Sequence, residues 1–232
     1  MNEALLARPI WNALTSLQSN HAVGDGQAVR FPPDIGPLAA MRAADEAGLA
    51  AFAALAAPGE LLAMIEQEID AVPPGMMLER QSAAVQMIAE APPERVDDPA
   101  IVLLGDTDAA EMRALAELTE PGPFAERTHR LGRFWGIRED GRLIAMAGER
   151  TRMPGFGEVS AVCVHPDARG RGLGTLMVRK AMASLTEQGL RPFLHSYADN
   201  IAAIATYRRC GMRPAREMII TMVRRPETPH SP

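Results

Sequence analysis

Residues 159–175 read VSAVCVHPDARGRGLGT, and this stretch decides the fold. Its first six residues are apolar or small at every position, which is typical of a strand buried on both faces. Pro166 ends the strand, and glycines follow at positions 170, 172 and 174. Apolar residues then recur every four positions on one helix face, at Leu173, Met177, Ala181 and Leu185. The sequence therefore predicts a strand, a glycine-rich turn and a helix that ends at Gly189.

A strand followed by a glycine-rich turn and a helix N-terminus forms an anion site. Glycines allow bare backbone N–H groups to approach phosphate oxygens, and the helix end supplies about half a positive charge. Arg169 and Arg171 add fork-shaped cationic donors, and Arg179 and Lys180 follow on the helix. In a chain with a formal net charge of −5, this local positive charge predicts a diphosphate site.

The spacing of the glycines in the turn excludes two common phosphate-binding motifs. No Gly-Lys-Ser/Thr follows, so the Walker A pattern fails. The dinucleotide pattern G-x-G-x-x-G also fails, because position 175 is threonine. What remains is Arg-x-x-Gly-x-Gly, running from Arg169 to Gly174.

A second pattern follows the helix. Residues 193–197 form a buried strand candidate, and Asn200 can cap a helix over residues 201–209 that stops at Gly211. Asn200, Ala203 and Tyr207 are three and four residues apart, so they share one face of that helix.

Together, the two patterns resemble the GNAT superfamily of acetyl-CoA-dependent N-acetyltransferases. The family carries Gln/Arg-x-x-Gly-x-Gly/Ala after its fourth strand and Asn-x-x-Ala-x-x-x-Tyr-x-x-x-Gly-Phe later, and here Met212 stands where Phe is usual. Methionine is a tolerable packing replacement. The resemblance covers residues 101–223. It implies an α/β (α+β) fold with a mixed, mostly antiparallel, splayed sheet flanked by helices.

The resemblance also implies acetyl-CoA as cosubstrate and assigns residues to it. The backbone of Val162, Cys163 and Val164 would pair with the pantetheine arm, as an added strand would. Asn200 and Ala203 would face the arm. The pyrophosphate would lie on the turn, with Arg169 and Arg171 beside it, on residues Gly170, Arg171, Gly172, Leu173, Gly174 and Thr175.

Acetyl transfer to an amine requires a proton acceptor, an oxyanion donor and an acid for the leaving thiolate. Tyr207 is the candidate acid. Glu158 falls where some family members keep a glutamate base, but a solvated charge at the strand end is an equal interpretation; Glu149 is the reserve candidate. Cys163, inside an apolar strand, is expected to be an inert small hydrophobe rather than a nucleophile.

Composition excludes other classes of protein. Hydrophobic residues make up 47% and charged residues 23% of the 232 positions, as in folded soluble proteins. The mild acidity argues against nucleic-acid and anionic-membrane partners. Two cysteines and five scattered histidines predict neither a disulfide framework nor a metal site. No membrane span or secretory pattern is apparent, so we expect a cytoplasmic protein.

A proline-rich and charged stretch at residues 91–99 predicts a boundary. Residues 1–95 are expected to form an accessory α+β half that packs against an acetyltransferase domain of residues 96–225, with a disordered tail at 226–232. The first half is expected to hold one or two helices over 39–57, a strand over 61–65 and a helix over 82–89. The second half begins with a strand over 101–104, helices over 108–118 and 123–130, and a hairpin of 133–138 with 142–149.

The functional prediction is direct acetyl transfer to a primary amine, a small amine or amino acid rather than a protein lysine. Acceptor contacts are expected from residues 121–130 and from the first half. A homodimer is left open. The alternative is a non-catalytic acyl-CoA-binding sensor or partner subunit, and a more distant one is a binder of another phosphate ligand.

Overall fold

The computed structural model describes residues 2–67 and 71–227. In these ranges five α-helices form: α1 Pro9–Leu14, α2 Glu46–Ala54, α3 Ala109–Thr119, α4 Leu173–Glu187 and α5 Ile201–Arg209. The strands are β1 Val23–Gly24, β2 Ala28–Arg30, β3 Ala39–Met41, β4 Leu61–Glu66, β5 Met77–Ala89, β6 Ile101–Leu104, β7 Phe134–Glu139, β8 Arg142–Met153, β9 Phe156–Val164, β10 Arg191–Tyr197 and β11 Met212–Arg224. None of the helices in the described part of the chain is long and apolar enough to cross a bilayer.

Eight strands form the main sheet, in the order β4-β11-β5-β10-β9-β8-β7-β6. Every neighbouring pair in it is antiparallel except β9 with β10, which is parallel. The short strands β1, β2 and β3 form a separate antiparallel sheet. The predicted mixed, mostly antiparallel sheet flanked by helices is confirmed.

The parallel pair β9–β10 separates soon after it begins. Residues 156–158 pair with residues 191–193, and no pairing between these strands follows. Beyond that point, within residues 2–67 and 71–227, β9 pairs with β8 alone and β10 pairs with β5 alone. A bulge accompanies the separation, since the β8–β9 register shifts near Ala161, whose φ is +50°. Because a bulge bends its strand and increases the local twist, the sheet opens into a fork.

Helices cover both faces of the sheet around this fork. On one face, α4 buries Met177, Ala181 and Leu185 against β8 and β9. On the other face, α3 buries Met112 and Leu115 in a cluster that includes β9 residues. Burial of each leucine or methionine among these side chains contributes roughly 1.5–3 kcal/mol, so β9 is fixed from both sides. The predicted strand, turn and helix around residues 159–187 are confirmed.

Two predictions for the first half are wrong. Residues 82–89, expected to be helical, form the end of β5. This segment hydrogen-bonds to β10 on one side and β11 on the other, and two complete strand partners override a weak helix propensity. The helix expected over 39–57 is divided: residues 39–41 are strand β3, and α2 begins only after Asp45, whose side chain accepts the Gly48 N–H at 2.8 Å.

Of the other expected elements, the strands near 61–65 and 101–104, the helix near 108–118 and the hairpin of β7 and β8 are confirmed. The helix expected over 123–130 is reduced to a 3₁₀ turn at Thr128–Leu131.

The predicted division at residue 95 does not coincide with a division in the sheet. Strands β4 and β5 precede residue 95, yet both belong to the main sheet, and β5 lies between β10 and β11. The first half therefore supplies strands to the sheet, and its helix α1 also packs on the sheet, against β4 and β8. Of the predicted tail, Pro226 and Glu227 lie outside any helix or strand, and residues 228–232 lie outside the described residues.

Candidate functional site

A cavity of about 450 Å³ opens at the fork between β9 and β10. Strand β9 contributes Val159, Ser160, Ala161, Val162 and Val164 to its lining, and β10 contributes His195, Ser196 and Tyr197. Helix α5 and the residues just before it form another side. Residues 119–123, which begin at the last residue of α3, also reach the cavity, so the predicted acceptor segment 121–130 touches it with its first three residues.

The glycine-rich turn has the backbone that an anion site needs. Gly170 and Gly172 both have φ of +77°, and Gly172 is the N-terminal cap of α4. A Cβ atom at either position would meet nothing within 4 Å, so glycine is required there by conformation rather than by crowding. The first N–H groups of α4 have no partner within the helix. Arg169 and Gly174 line the cavity beside them.

The two arginines of the turn differ in their contacts. Arg171 forms a bidentate pair with Glu139 of β7, with nitrogen–oxygen distances of 2.8 and 3.0 Å. The Arg171 hydrogen bond lowers the pKa of the Glu139 carboxyl. Arg169 forms no salt bridge among the described residues and lines the cavity. The positive charge available to a ligand therefore comes chiefly from Arg169.

Two other residues of the turn have contacts away from the cavity. Leu173 packs against the cluster beneath α4. The carbonyl oxygen of Thr175 accepts the Cys210 thiol at 3.7 Å. Neither residue lines the cavity, but both are in the first turn of α4, where backbone N–H groups can bind a phosphate.

Alternation along β9 separates the residues expected to bind the cofactor arm. Val162 and Val164 line the cavity, whereas Cys163 is 1% exposed and packs in the cluster of α3. Burial raises the pKa of the Cys163 thiol to about 12. A thiol so placed is a packing group, and only the backbone of Cys163 is available to a ligand.

Asn200, Ala203 and Tyr207 all line the cavity, so the spacing of the second motif places its members together. The Asn200 side chain caps α5 by accepting the Ala203 N–H at 3.1 Å, as predicted. Burial raises the pKa of Tyr207 to about 12. Its hydroxyl therefore stays protonated at neutral pH and can donate a proton or a hydrogen bond.

Glu158 is not a solvated charge at a strand end, because its side chain is 0% exposed. One carboxylate oxygen lies 2.6 Å from Arg150 Nη2 and 2.7 Å from His195 Nδ1, and the other lies 3.0 Å from Arg150 Nε. The Thr151 hydroxyl donates to the second oxygen. Burial alone would raise the pKa of the Glu158 carboxyl, but Arg150 and His195 outweigh burial and hold the pKa well below its usual range. Glu158 is thus a weak proton acceptor and does not line the cavity.

The reserve base, Glu149, is turned toward another element. It is buried, and one oxygen accepts Ser184 Oγ at 2.8 Å and Gln188 Nε2 at 2.7 Å, both near the end of α4. It is absent from the cavity lining. Neither glutamate therefore reaches a substrate amine directly in this arrangement.

Sequence reasoning missed several cavity residues. His195, Ser196 and Tyr197 of β10 line the fork, and three consecutive polar side chains at the end of an apolar run were the available signal. Arg150 gave no local signal. An aliphatic wall, defined here as Leu38, Ala63, Ile65, Ile220 and Met222, completes the lining.

Among residues 2–67 and 71–227, no three His, Cys, Asp or Glu side chains cluster as metal ligands would.

Comparison with known proteins gives three kinds of match. Residues 104–212 match the profile of the Acetyltransferase (GNAT) family. A crystal structure assigned to that family, from Novosphingobium aromaticivorans, is 45% identical with a TM-score of 0.89, over 96% of this chain and 98% of the other. A GCN5-related N-acetyltransferase from Kribbella flavida has the same fold at 19% identity, with a TM-score of 0.58 over 93% of this chain and 95% of the other.

Curated relatives match a shorter region. A mycothiol acetyltransferase from Corynebacterium jeikeium is 48% identical over 66 residues, which are 28% of this chain and 18% of that protein. The chain spans about a fifth of the length of the first such relatives.

Proposed function

Because the chain belongs to the GNAT family of acetyltransferases, we propose that it transfers an acetyl group from acetyl-CoA directly to a primary amine. The observation that carries the proposal is the convergence on one cavity of a forked sheet, a turn fit for an anion and a half-buried tyrosine. The matched part of the mycothiol acetyltransferases is too short to transfer their acceptor to this chain.

The residues at the fork fit a thioester carrier. Past residue 158, no strand in the described part of the chain pairs with β9 on the β10 side, so its backbone groups can pair with an amide-bearing arm. The positive-φ glycines and the N-terminus of α4 suit a diphosphate, and Arg169 supplies charge. Acetyl-CoA would supply the activated acetyl group. Val162, Val164, Asn200 and Ala203 would line the path of its arm.

In the transfer, the amine nitrogen attacks the thioester carbon and the carbon–sulfur bond breaks. The amine loses one proton and the departing sulfur gains one, so the products are an N-acetyl amide and a free thiol. A backbone N–H at the Ala161 bulge is suited to hold the oxyanion that develops. Tyr207 would protonate the sulfur, since its raised pKa keeps the hydroxyl protonated. Water in the cavity would take the amine proton, because Glu158 is a weak base.

A cytoplasmic location belongs to the same proposal. Both cysteines are free and buried, which suits a reducing compartment.

Two measurements test the function. Isothermal titration with acetyl-CoA and with ATP should give saturable heat for acetyl-CoA alone. An amine panel that follows thiol release should then show turnover that depends on both amine and protein. Binding of acetyl-CoA without turnover on any amine would favour the sensor function, and binding of ATP alone would reject both.

A further inference from the structure

Part of the cavity lies outside the motifs assigned to the cofactor. The aliphatic wall comes from β4, from β11 and from the segment before β3. None of these elements carries a residue of the glycine-rich turn or of the Asn-Ala-Tyr face. This part of the cavity is therefore available to the acetyl acceptor, and its chemistry constrains what that acceptor is.

The wall is continuous and without polar side chains. Ile65 lies opposite Ile220 and Ala63 opposite Met222 in the β4–β11 ladder, while Leu38 forms a bridge with Ala63. Ile220 and Met222 are half-buried, so they keep surface that a ligand can cover. Burial of an alkyl group against this surface lowers the free energy of binding. A charged side chain would find no hydrogen-bond or ion-pair partner on it.

Arg150 supplies a polar group in the same cavity. Its Nε and Nη2 bind Glu158 along one edge of the guanidinium. A guanidinium has five N–H donors, and Nη1 has no hydrogen-bond partner among the described residues. The side chain is 11% exposed and lines the cavity. The edge formed by Nη1 and the second N–H of Nη2 is thus open to a carboxylate, which arginine binds through two parallel hydrogen bonds.

Glu158 stabilises the charge of Arg150 when no ligand is bound. The buried carboxylate balances the Arg150 charge at 2.6 Å, so the pair is neutral before the acceptor enters. The unpaired donors remain, however, and they disfavour a second cation in their place. An ammonium group at the far end of the acceptor is unfavourable beside either the guanidinium or the alkyl wall. The carboxylate of Glu120 also lines the cavity, but it is exposed to solvent at the end of α3 and gives a weak, screened attraction.

Building on the proposed function, we propose that the acceptor is a free α-amino acid with an aliphatic side chain. The carboxylate binds the open edge of Arg150, and the side chain covers the aliphatic wall. The α-amine then attacks the thioester carbon. The product is an N-acetyl amino acid, with the same balance of protons and the same free thiol as in the general reaction.

The wild-type enzyme tests this with a matched set of amines and a thiol-release assay. Leucine is compared with leucinamide and with 3-methylbutylamine, which keep the alkyl group but lack the carboxylate. We expect kcat/KM for leucine to exceed both by about tenfold or more, as loss of a charge-assisted hydrogen bond implies. The amine of leucinamide is less basic than that of leucine and loses its proton more readily. A harder proton removal therefore cannot explain a lower kcat/KM for leucinamide. Putrescine should be a poor acceptor.

A wall variant separates the side-chain contact from the carboxylate contact. Ile220→Ser should lower kcat/KM for leucine about tenfold and change that for glycine by less than about threefold, because glycine has no alkyl group to cover the wall. Ile219→Ser is the matched control, since Ile219 is the next residue on β11 and lines a depression on the other face of the strand. It should leave both rates near wild type.

Equal use of leucine and 3-methylbutylamine, or a preference for putrescine, would overturn the acceptor assignment while leaving the proposed acetyltransferase intact. Equal losses for leucine and glycine in Ile220→Ser would also overturn it. If acetyl-CoA binds and no amine releases thiol, the proposed function fails, and the acceptor assignment fails with it.

Discussion

Glu158 and His195 are joined by a hydrogen bond of 2.7 Å just where the backbone pairing of their strands stops. Glu158 is in the last β9–β10 backbone pair, and His195 lies two residues beyond its β10 partner, Phe193. On its other side, His195 Nε2 lies 2.9 Å from Gln86 Nε2, which also donates to the Leu6 carbonyl. Gln86 Nε2 can only donate, so His195 Nε2 accepts and Nδ1 carries the proton that Glu158 accepts. A row of side chains from Arg150 to Gln86 thus crosses four strands and holds the fork.

Replacement of this carboxylate should disturb both folding and turnover. Glu158→Gln removes the charge that pairs with buried Arg150, and breaking a buried ion pair costs about 3–5 kcal/mol. We expect a lower Tm and, in the folded fraction, a kcat at least about tenfold lower, because the width of the fork changes. Thermal unfolding and steady-state kinetics measure the two effects.

Glu149→Gln is the control for that variant. Glu149 is equally buried and lies one strand away, but its partners are Ser184 and Gln188 at the end of α4 and the Arg133 N–H, rather than residues at the fork. It should retain kcat within about threefold once the folded fraction is taken into account. Equal losses of kcat in the two variants would show that the Glu158 row has no special relation to the site.

The free energy of unfolding at acid pH should depend on the Glu158–Arg150 ion pair. The folded-state pKa of Glu158 lies below its ordinary value of 4.5, so the folded protein binds fewer protons than the unfolded chain. The stabilisation is therefore complete above about pH 4.5 and is lost as the pH falls toward the folded pKa. Unfolding free energies from pH 6 to pH 3 should fall more steeply for wild type than for Glu158→Gln. Parallel curves would contradict the assigned shift.

Tyr207→Phe should separate chemistry from binding. The variant keeps the ring that lines the cavity and removes the hydroxyl, so we expect kcat to fall about tenfold or more with a Kd for acetyl-CoA within about twofold of wild type. The pKa of Tyr207 is raised to about 12, so wild-type kcat should show no loss from tyrosine ionisation up to about pH 10. Unchanged kcat in Tyr207→Phe would remove this residue from its role as acid.

Gly172→Glu should abolish binding of acetyl-CoA. Residue 172 has φ of +77° and begins α4, so the variant combines backbone strain with a carboxylate beside the expected diphosphate. Gly189→Glu is a matched control, because Gly189 has φ of +75°, follows the other end of α4 and also has open space around it. Calorimetry should give no heat for the first variant and a wild-type Kd for the second. Retained binding in Gly172→Glu would contradict the anion site.

Local spacing was enough to predict the parts of the site that lie on one element. Asn200, Ala203 and Tyr207 meet in the cavity because a helix brings together residues three and four apart. The glycines of the turn could also be predicted, because they are neighbours in the sequence. Arg169 and Arg171 show where prediction from local spacing fails. They belong to one short motif, but Arg171 pairs with Glu139, a glutamate on β7 that is distant in the sequence.

Long-range pairing explains the rest of what sequence reasoning missed. Residues 82–89 form a strand because β10 and β11, more than a hundred residues later, provide its partners. From the sequence, Glu158 could equally be a catalytic base or a solvated charge at a strand end, and neither interpretation anticipated that β8 and β10 bring Arg150 and His195 to it. The aliphatic wall joins Leu38 to Ile220, and no local pattern connects two such distant residues.

The position of β5 between β10 and β11 has a consequence for biosynthesis. On the ribosome this strand emerges long before either neighbour exists, and its last partner, Arg224, is made more than a hundred residues after β5. Until then, a long run of unpaired amide groups is open to association with other nascent chains. Removing residues 1–95 to obtain a minimal catalytic fragment would leave β10 and β11 with no common neighbour, and such a fragment should aggregate rather than fold.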